Sequence, residues 1–500
     1  MASFWQGLKY ILLKKERRVI LLQSRKGITF RSLELRRWGH IVSLGSDRDS
    51  MNLDSVSSPS DEKLAFHTNN FEFALITSDL NSRMTRISSS LSEIPVKPKT
   101  LGTKEQMLEA WDLETASSPS LSIQQNPSSQ EGLNSPQAPL LDRVKSITLN
   151  VTQVCNLQCL YCAAGGDGTY GAPQKRIDVE KTLPLLARAL KNMNAGEEFH
   201  VSFLGGEPLL FPEGIRIICE EVQRRASEKG FKSRFKVTTN GTILNDPILD
   251  LFREFDIEVV VSCDGPDFIQ NQRRPGKSGS PSAARVEQNL RRLQKEQGLR
   301  FGLHAVFDSS HTRVLTTLNY FEQFDPSWME FTYSVNKNDT NGIEAYLDEL
   351  YQSAQYLYEK GGLNELRKII SFKEIFHYLD RKQGIKNHCG IGKSFVVVDA
   401  KNEIYPCPWM VENKKYLIEG SSGSESLFLV DELSKNLTDL HQCESCWAKN
   451  LCGGGCHFIH KQDSGGKSSS FCERMRGTAM IALYFYGSDS AAKSAEITMN

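Results

Sequence analysis

The chain of 500 residues lacks any charge imbalance: 60 Lys and Arg are matched by 60 Asp and Glu. No overall field therefore draws it toward nucleic acid or an anionic membrane. It also lacks an apolar run of about 18 residues, the minimum for a membrane-crossing helix. Near the start, Tyr10-Ile11-Leu12-Leu13 is broken at once by Lys14-Lys15-Glu16-Arg17-Arg18, too short and too charged for a secretory signal. The expectation is a reducing cytoplasm, with cysteines that bind metal rather than pair as disulfides. Internal repeats are absent as well. What remains is a chain long enough for two or three domains with sizeable cores.

Residues 1–114 read as an accessory region and 115–140 as a flexible linker. Residues 1–46 carry ten Lys or Arg against Glu16 and Glu34, a solvated basic face or a docking arm for a peptide. Within them, 19–22 and 27–30 have the pattern of a hairpin. The stretch 115–139 is rich in Ser, Gln and Pro with almost no core-forming residues, so burial cannot offset the entropy of ordering it. From residue 141 strand-like and helix-like segments alternate. Strands are expected at 145–151, 199–204, 234–239, 257–263, 301–307 and 329–335, with helices between them such as 179–192 and 282–296. Six βα units of this kind predict a parallel sheet with helices outside and ligands at the carboxyl ends of the strands.

Ten of the twelve cysteines fall into two groups, and Cys219 and Cys263 stand alone as small buried residues. The first group, Cys155, Cys159 and Cys162, follows the first strand with spacing C-x3-C-x2-C. Three thiolates so spaced can hold three irons of a four-iron–four-sulfur (4Fe-4S) cluster and leave the fourth free to bind a substrate or cofactor. The competing chemistry is a structural zinc site. Zinc usually takes thiols in C-x2-C pairs and closes with four ligands, and no His or Cys follows nearby to close this one.

With Tyr161 just before the last cysteine, this motif resembles the signature of radical S-adenosylmethionine (radical SAM) enzymes. The next strand ends in Gly205-Gly206-Glu207-Pro208, the third in Thr239-Asn240-Gly241, the fourth in Ser262-Cys263-Asp264, with Arg273 and Arg274 beyond. Alone each is an ordinary turn; in this order they match the family. The resemblance implies an α/β fold, a partial (β/α)6 parallel barrel over 141–370, with Gly205, Gly206, Glu207, Thr239, Asn240, Ser262, Asp264 and Arg274 at the cofactor. It implies that S-adenosylmethionine chelates the open iron, and that one electron breaks its sulfonium bond to give a 5′-deoxyadenosyl radical. That radical would then take a hydrogen atom from an unactivated C–H bond.

Seven further cysteines, Cys389, Cys407, Cys443, Cys446, Cys452, Cys456 and Cys472, mark a C-terminal extension over 371–480, before a tail at 481–500. Thiolate pairs also suit a zinc ribbon. Their order, and the hairpin-like segment 395–407, resemble the SPASM extension, which carries auxiliary iron–sulfur clusters. By that resemblance Cys443, Cys446, Cys452 and Cys472 hold one cluster, and Cys389, Cys407 and Cys456 the other. SPASM enzymes act mostly on peptides and proteins, so the implied partners are a precursor peptide or protein, a reductase, flavodoxin or ferredoxin as electron donor, and a separate peptide-recognition protein. Nucleic acid and membrane are not expected.

Sulfatase maturases of this group place an aspartate directly after the cysteine of Tyr-Pro-Cys, whereas here Pro408 follows Cys407. The Gly-rich, aromatic-ended run 163–171 resembles peptide maturases. A peptide maturase that makes a crosslink or backbone modification is therefore favoured over a sulfatase (formylglycine-generating) maturase. The third alternative, a non-catalytic iron–sulfur electron carrier, would have no use for the strand-end motifs.

Overall fold

The computed structural model describes residues 139–162, 175–334, 341–420, 426–462 and 468–499, together with the backbone of five strands between 19 and 76. Those strands, β1 (Val19–Gln23), β2 (Thr29–Leu35), β3 (Gly39–Leu44), β4 (Lys63–His67) and β5 (Glu72–Ile76), form an antiparallel meander in chain order. The expected hairpin is its first pair, in register from Val19↔Leu33 to Gln23↔Thr29. The linker, up to residue 138, and the Gly-rich run 163–171 lie outside the described residues.

The body is built on β6 (Ser146–Thr152), β7 (Glu198–Gly205), β8 (Lys232–Thr239), β9 (Ile257–Ser262), β10 (Phe301–Phe307) and β11 (Trp328–Tyr333), each parallel to its neighbours. The connecting helices are α1 (Val179–Ala189), α2 (Pro212–Lys229), α3 (Asp246–Glu254), α4 (Asp267–Arg273), α5 (Ala283–Lys295) and α6 (Val314–Phe321). β6 and β11 are not paired with each other, so the sheet is an open, partial (β/α)6 barrel.

Local chemistry sets the helix ends. Asp178 and Asn245 cap α1 and α3 by accepting from Lys181 N and Ile248 N, and Gly230 (φ 75°) ends α2 in the left-handed region. Side chains alternate along the strands: Leu149, Val201, Phe203, Val237 and Leu303 are fully buried under the helices. Each such side chain stabilises the fold by about 1.5–3 kcal/mol.

The extension is grafted onto this sheet rather than appended to it. β12 (Phe395–Val398) pairs parallel with β6, and β13 (Ile404–Tyr405) pairs antiparallel with β12, extending the sheet past β6. Asp399 shapes the turn, accepting from Lys401 N and Glu403 N at 2.9 and 2.8 Å, with Asn402 left-handed at φ 64°. Arg188 of α1 pairs with Glu419 at 2.6 Å and fastens the far side.

Helices α7 (Ile343–Leu366) and α8 (Ile370–Arg381) follow β11. The final helix, Ser469–Met499, crosses the 480/481 division expected from sequence. The cause is packing: Ala482, Leu483 and Phe485 are buried, and Phe485 stacks on Tyr351 of α7 with ring centroids 5.8 Å apart. Among the described residues no helix is long and apolar enough to cross a membrane.

Candidate active site

The three-cysteine loop leaves the carboxyl end of β6 and is gripped from three sides. Beneath it, Gly206 N donates to Thr152 O (2.8 Å) and Glu207 N to Val154 O (3.0 Å). A Cβ on Gly205 (φ 142°) would stand 2.1 Å from Thr152 O, and one on Gly206 2.3 Å from Val154 O. The two glycines thus admit the close approach of the backbone that leads into the cysteine loop. The Glu207 carboxylate is fully buried and accepts from Thr239 Oγ1 (2.7 Å), Asn240 N (2.7 Å) and Leu209 N (3.0 Å). Burial pushes its pKa up to about 7, against those three donors.

From the third strand end, Asn240 Nδ2 donates to Asn156 Oδ1 (2.7 Å) and lies 3.5 Å from Cys155 Sγ, while Asn156 Nδ2 reaches Thr242 Oγ1 (2.8 Å). From the fourth, Asp264 is a completely buried hub. It accepts from Tyr161 Oη (2.7 Å), Arg273 Nε (3.2 Å) and Val306 N (3.1 Å), and Arg274 Nε lies 3.1 Å away without a well-aligned hydrogen bond. Both guanidinium groups also sit over the Tyr161 ring, 4.7 and 5.2 Å from its centroid. Burial works to raise the Asp264 pKa, but Arg274 and Arg273 outweigh it and hold the carboxyl below its ordinary range. Gln158 N and Leu160 N donate to Pro275 O and Arg273 O, so the loop is pinned along its length. Ser262 is half-buried at the end of β9.

The structure thus brings Cys155, Cys159, Cys162, Gly205, Gly206, Glu207, Thr239, Asn240, Asp264 and Arg274 to one end of the barrel. The thiols are near enough to interact: burial, with charge on Cys162 and Cys155 and against Arg274, takes Cys159 up to about 12.

The remaining seven cysteines gather in two sets. Cys452 is raised by Cys446, Cys472 and Cys443, and Cys407 by Cys456 and Cys389. In both cases burial is the larger cause; it takes Cys452 up to about 12, and Cys389 up to about 11. Such thiols carry charge only beside a compensating cation, which is what the irons of a cluster supply. Among the described residues no group of three or more His, Cys, Asp or Glu side chains is gathered tightly enough to hold a single metal ion. None of the twelve cysteines is in a disulfide, and Cys219 and Cys263 are fully buried, as expected.

Between Cys452 and Cys456 run three left-handed glycines, and a Cβ on Gly454 (φ 87°) would meet Leu437 C at 2.4 Å. Arg474, on the last helix, donates to Tyr333 O at the end of β11 (2.8 Å) and ties the extension to the barrel. Sequence reasoning missed a stack of buried histidines here. His441 Nδ1 donates to Gly454 O (2.5 Å), its Nε2 lies 3.1 Å from His457 Nδ1, and its ring centroid is 4.3 Å from that of His460. Burial and His441 push His457 down to about 4. The signal was the spacing of His457 and His460 on one short helix, which alone does not show what faces it.

Residues 149–307 match the family model described as Radical SAM superfamily. Over 187 residues the chain is 30% identical to the uncharacterized protein MJ0907 of Methanocaldococcus jannaschii, covering 37% of this chain and 58% of that one. Over 347 residues it is 24% identical to the cysteine-type anaerobic sulfatase-maturating enzyme of Clostridium perfringens, covering 64% and 90%. The solved structure of native anSMEcpe with bound AdoMet and Cp18Cys peptide superposes with a TM-score of 0.57 at 21% identity, covering 70% of this chain and 99% of that one, and shows the same fold. Residues 149–307 thus form a radical SAM domain, whose cofactors are S-adenosylmethionine and a 4Fe-4S cluster, in a chain similar to anaerobic sulfatase-maturating enzymes.

Proposed function

We propose that this radical SAM enzyme is a peptide maturase that works in a reducing cytoplasm. Its substrate is a ribosomally made precursor peptide or protein, in which it makes a crosslink or a backbone modification. A reductase, flavodoxin or ferredoxin donates the electrons, and a separate peptide-recognition protein assists. The observation that supports this most is the extension: it gathers seven cysteines into two sets, and Pro408 rather than a carboxylate follows Cys407.

Cys155, Cys159 and Cys162 hold the first cluster; Cys443, Cys446, Cys452 and Cys472 hold one auxiliary cluster, and Cys389, Cys407 and Cys456 another. When bound, the first cluster and S-adenosylmethionine supply the one-electron cleavage that yields the 5′-deoxyadenosyl radical. The protein's own part is positioning. Tyr161 on Asp264 fixes the middle of the loop, and Asn240 with Asn156 fixes its start. Gly205 and Gly206 let β7 support it from below, and Ser262, Thr239 and Arg274 complete the strand-end rim.

A sulfatase maturase is the second reading, favoured by the alignment over 90% of such an enzyme. The discriminating experiment offers the reduced, iron-loaded chain either a cysteine-containing sulfatase peptide or leader-bearing precursor peptides. Mass loss of two hydrogen atoms in a precursor peptide, with the sulfatase peptide unchanged, supports the peptide maturase. Conversion of the sulfatase peptide alone overturns it.

A further inference from the structure

The barrel has a second face. Opposite the fully buried outer residues, Thr148, Ser202, Thr238, Ser262, His304 and Thr332 are half-buried, so the inner face of the sheet is polar. A parallel sheet usually buries both faces in apolar contacts; this one keeps one face polar. Register sets His304 of β10 between Ser262 of β9 and Glu330 of β11. Two residues further on, about 6.6 Å along the strand, Val306 N donates to Asp264, the carboxylate that holds Tyr161 in the cysteine loop. The imidazole therefore lies on the inner face of the sheet, one step beneath the loop.

Its ring is held on one side only. Nε2 is 3.1 Å from Thr332 Oγ1, and Nδ1 has no hydrogen-bond partner among the described residues. Beside it Glu330 accepts from Lys236 Nζ (3.3 Å) and Trp328 Nε1 (3.1 Å). Burial works to raise Glu330, but Lys236 and then His304 outweigh it and keep the carboxyl ionised. The charged groups facing His304 are Glu330 from β11, Lys236 from β8, and Arg274 and Asp264 from the loop clamp; Glu374 of α8 faces Glu330 and Lys236. Burial holds the imidazole below its ordinary range, so it is neutral at pH 7 and able to take a proton.

We propose that His304 is the proton acceptor for the product-forming step, positioned by Thr332, with the Glu330 charge nearby; this rests on the maturase reading. After hydrogen-atom removal the substrate holds a carbon radical near an X–H group. A new C–X bond forms as X–H breaks, the proton goes to Nδ1 of His304, and the remaining electron goes to a one-electron acceptor of the iron–sulfur class. The nearby Glu330 charge favours the imidazolium so formed. The arrangement answers the absence of a carboxylate at Pro408.

The test uses the full-length, iron-loaded chain with a peptide it converts, and reads the ratio of modified peptide to 5′-deoxyadenosine. His304→Gln should lower that ratio by about 10²-fold or more, and added imidazole should restore part of it to His304→Gly. A readout independent of turnover is the ring titration in the metal-free chain by NMR. His304 should titrate below the ordinary imidazole range, and Glu330→Gln should move it lower still. Should the His304 variants not fold, Thr332→Val keeps the imidazole and should still lower the ratio and alter its pH profile. A ratio within about threefold of the parent in His304→Gln, or in Thr332→Val, overturns the proposal while deoxyadenosine formation leaves the maturase reading standing. A parent chain that forms no deoxyadenosine removes both.

Discussion

Asp264→Asn keeps the shape of the side chain at the centre of the clamp and removes its charge. In the parent, Tyr161, Arg273, Arg274 and Val306 N all converge on a carboxylate with no exposed surface. Arg273 retains Asp308 at 2.8 Å, but Arg274 pairs with no second carboxylate among the described ion pairs. Breaking a buried ion pair by removing one partner costs about 3–5 kcal/mol. The amide oxygen keeps one donor, worth about 1 kcal/mol, so the expected net loss is about 2–4 kcal/mol. Tyr161→Phe, which removes only the hydroxyl, should cost about 1.5–3 kcal/mol. Because Asp264 is held below its ordinary range, this stability is present above the unfolded aspartate value and is lost as pH falls through the lower folded one. Since Tyr161 lies between Cys159 and Cys162, both variants should also retain less iron after reconstitution. Urea unfolding of the metal-free chain and iron per chain are the assays. Unfolding within about 0.5 kcal/mol of the parent, the range of ordinary surface changes, with full iron, would refute the clamp.

Other consequences can be checked alongside. Gly206→Ala should cost about 1–3 kcal/mol by overpacking against Val154 and reduce iron retention; Gly196→Ala, where nothing lies within 4 Å of the new Cβ, should leave iron unchanged. In the metal-free chain Glu207, with its pKa raised to about 7, binds its proton more tightly when folded. Stability should therefore be full below the ordinary glutamate value and fall by roughly 3 kcal/mol as pH rises through about 7, a fall absent in Glu207→Gln by pH-dependent unfolding. Cys446→Ala should spare first-cluster assembly, read by electron paramagnetic resonance, and abolish peptide product; full product formation would remove any essential role for that set. Deleting residues 1–140 should leave cofactor cleavage largely intact and weaken peptide modification. Loss of cleavage as well would make the accessory region part of the catalytic fold.

Much of this was legible in the sequence because the signals are local. Alternation places β6–β11 within two residues of their expected bounds, and the cysteine spacing and strand-end glycines are contiguous motifs. What was not legible depends on distant partners. Nothing near Tyr161 indicates that Asp264, over a hundred residues later, accepts a hydrogen bond from its hydroxyl, and nothing near Gly206 shows that it presses on Val154. The pairing of β12 with β6 likewise joins segments about 250 residues apart, which periodicity cannot register. His304 was visible in principle: Phe301-Gly-Leu-His-Ala-Val-Phe alternates, and the polar member of an alternating strand faces water. That this face is the inner one of the sheet follows only from the fold.

The most direct test reconstitutes the full chain anaerobically with iron and sulfide, adds dithionite and S-adenosylmethionine, and quantifies 5′-deoxyadenosine beside a Cys155/Cys159/Cys162 triple-Ala variant. The account predicts deoxyadenosine from the parent and none above background from the variant. A fully iron-loaded parent that binds S-adenosylmethionine yet forms no deoxyadenosine, or a variant that forms as much, would contradict it.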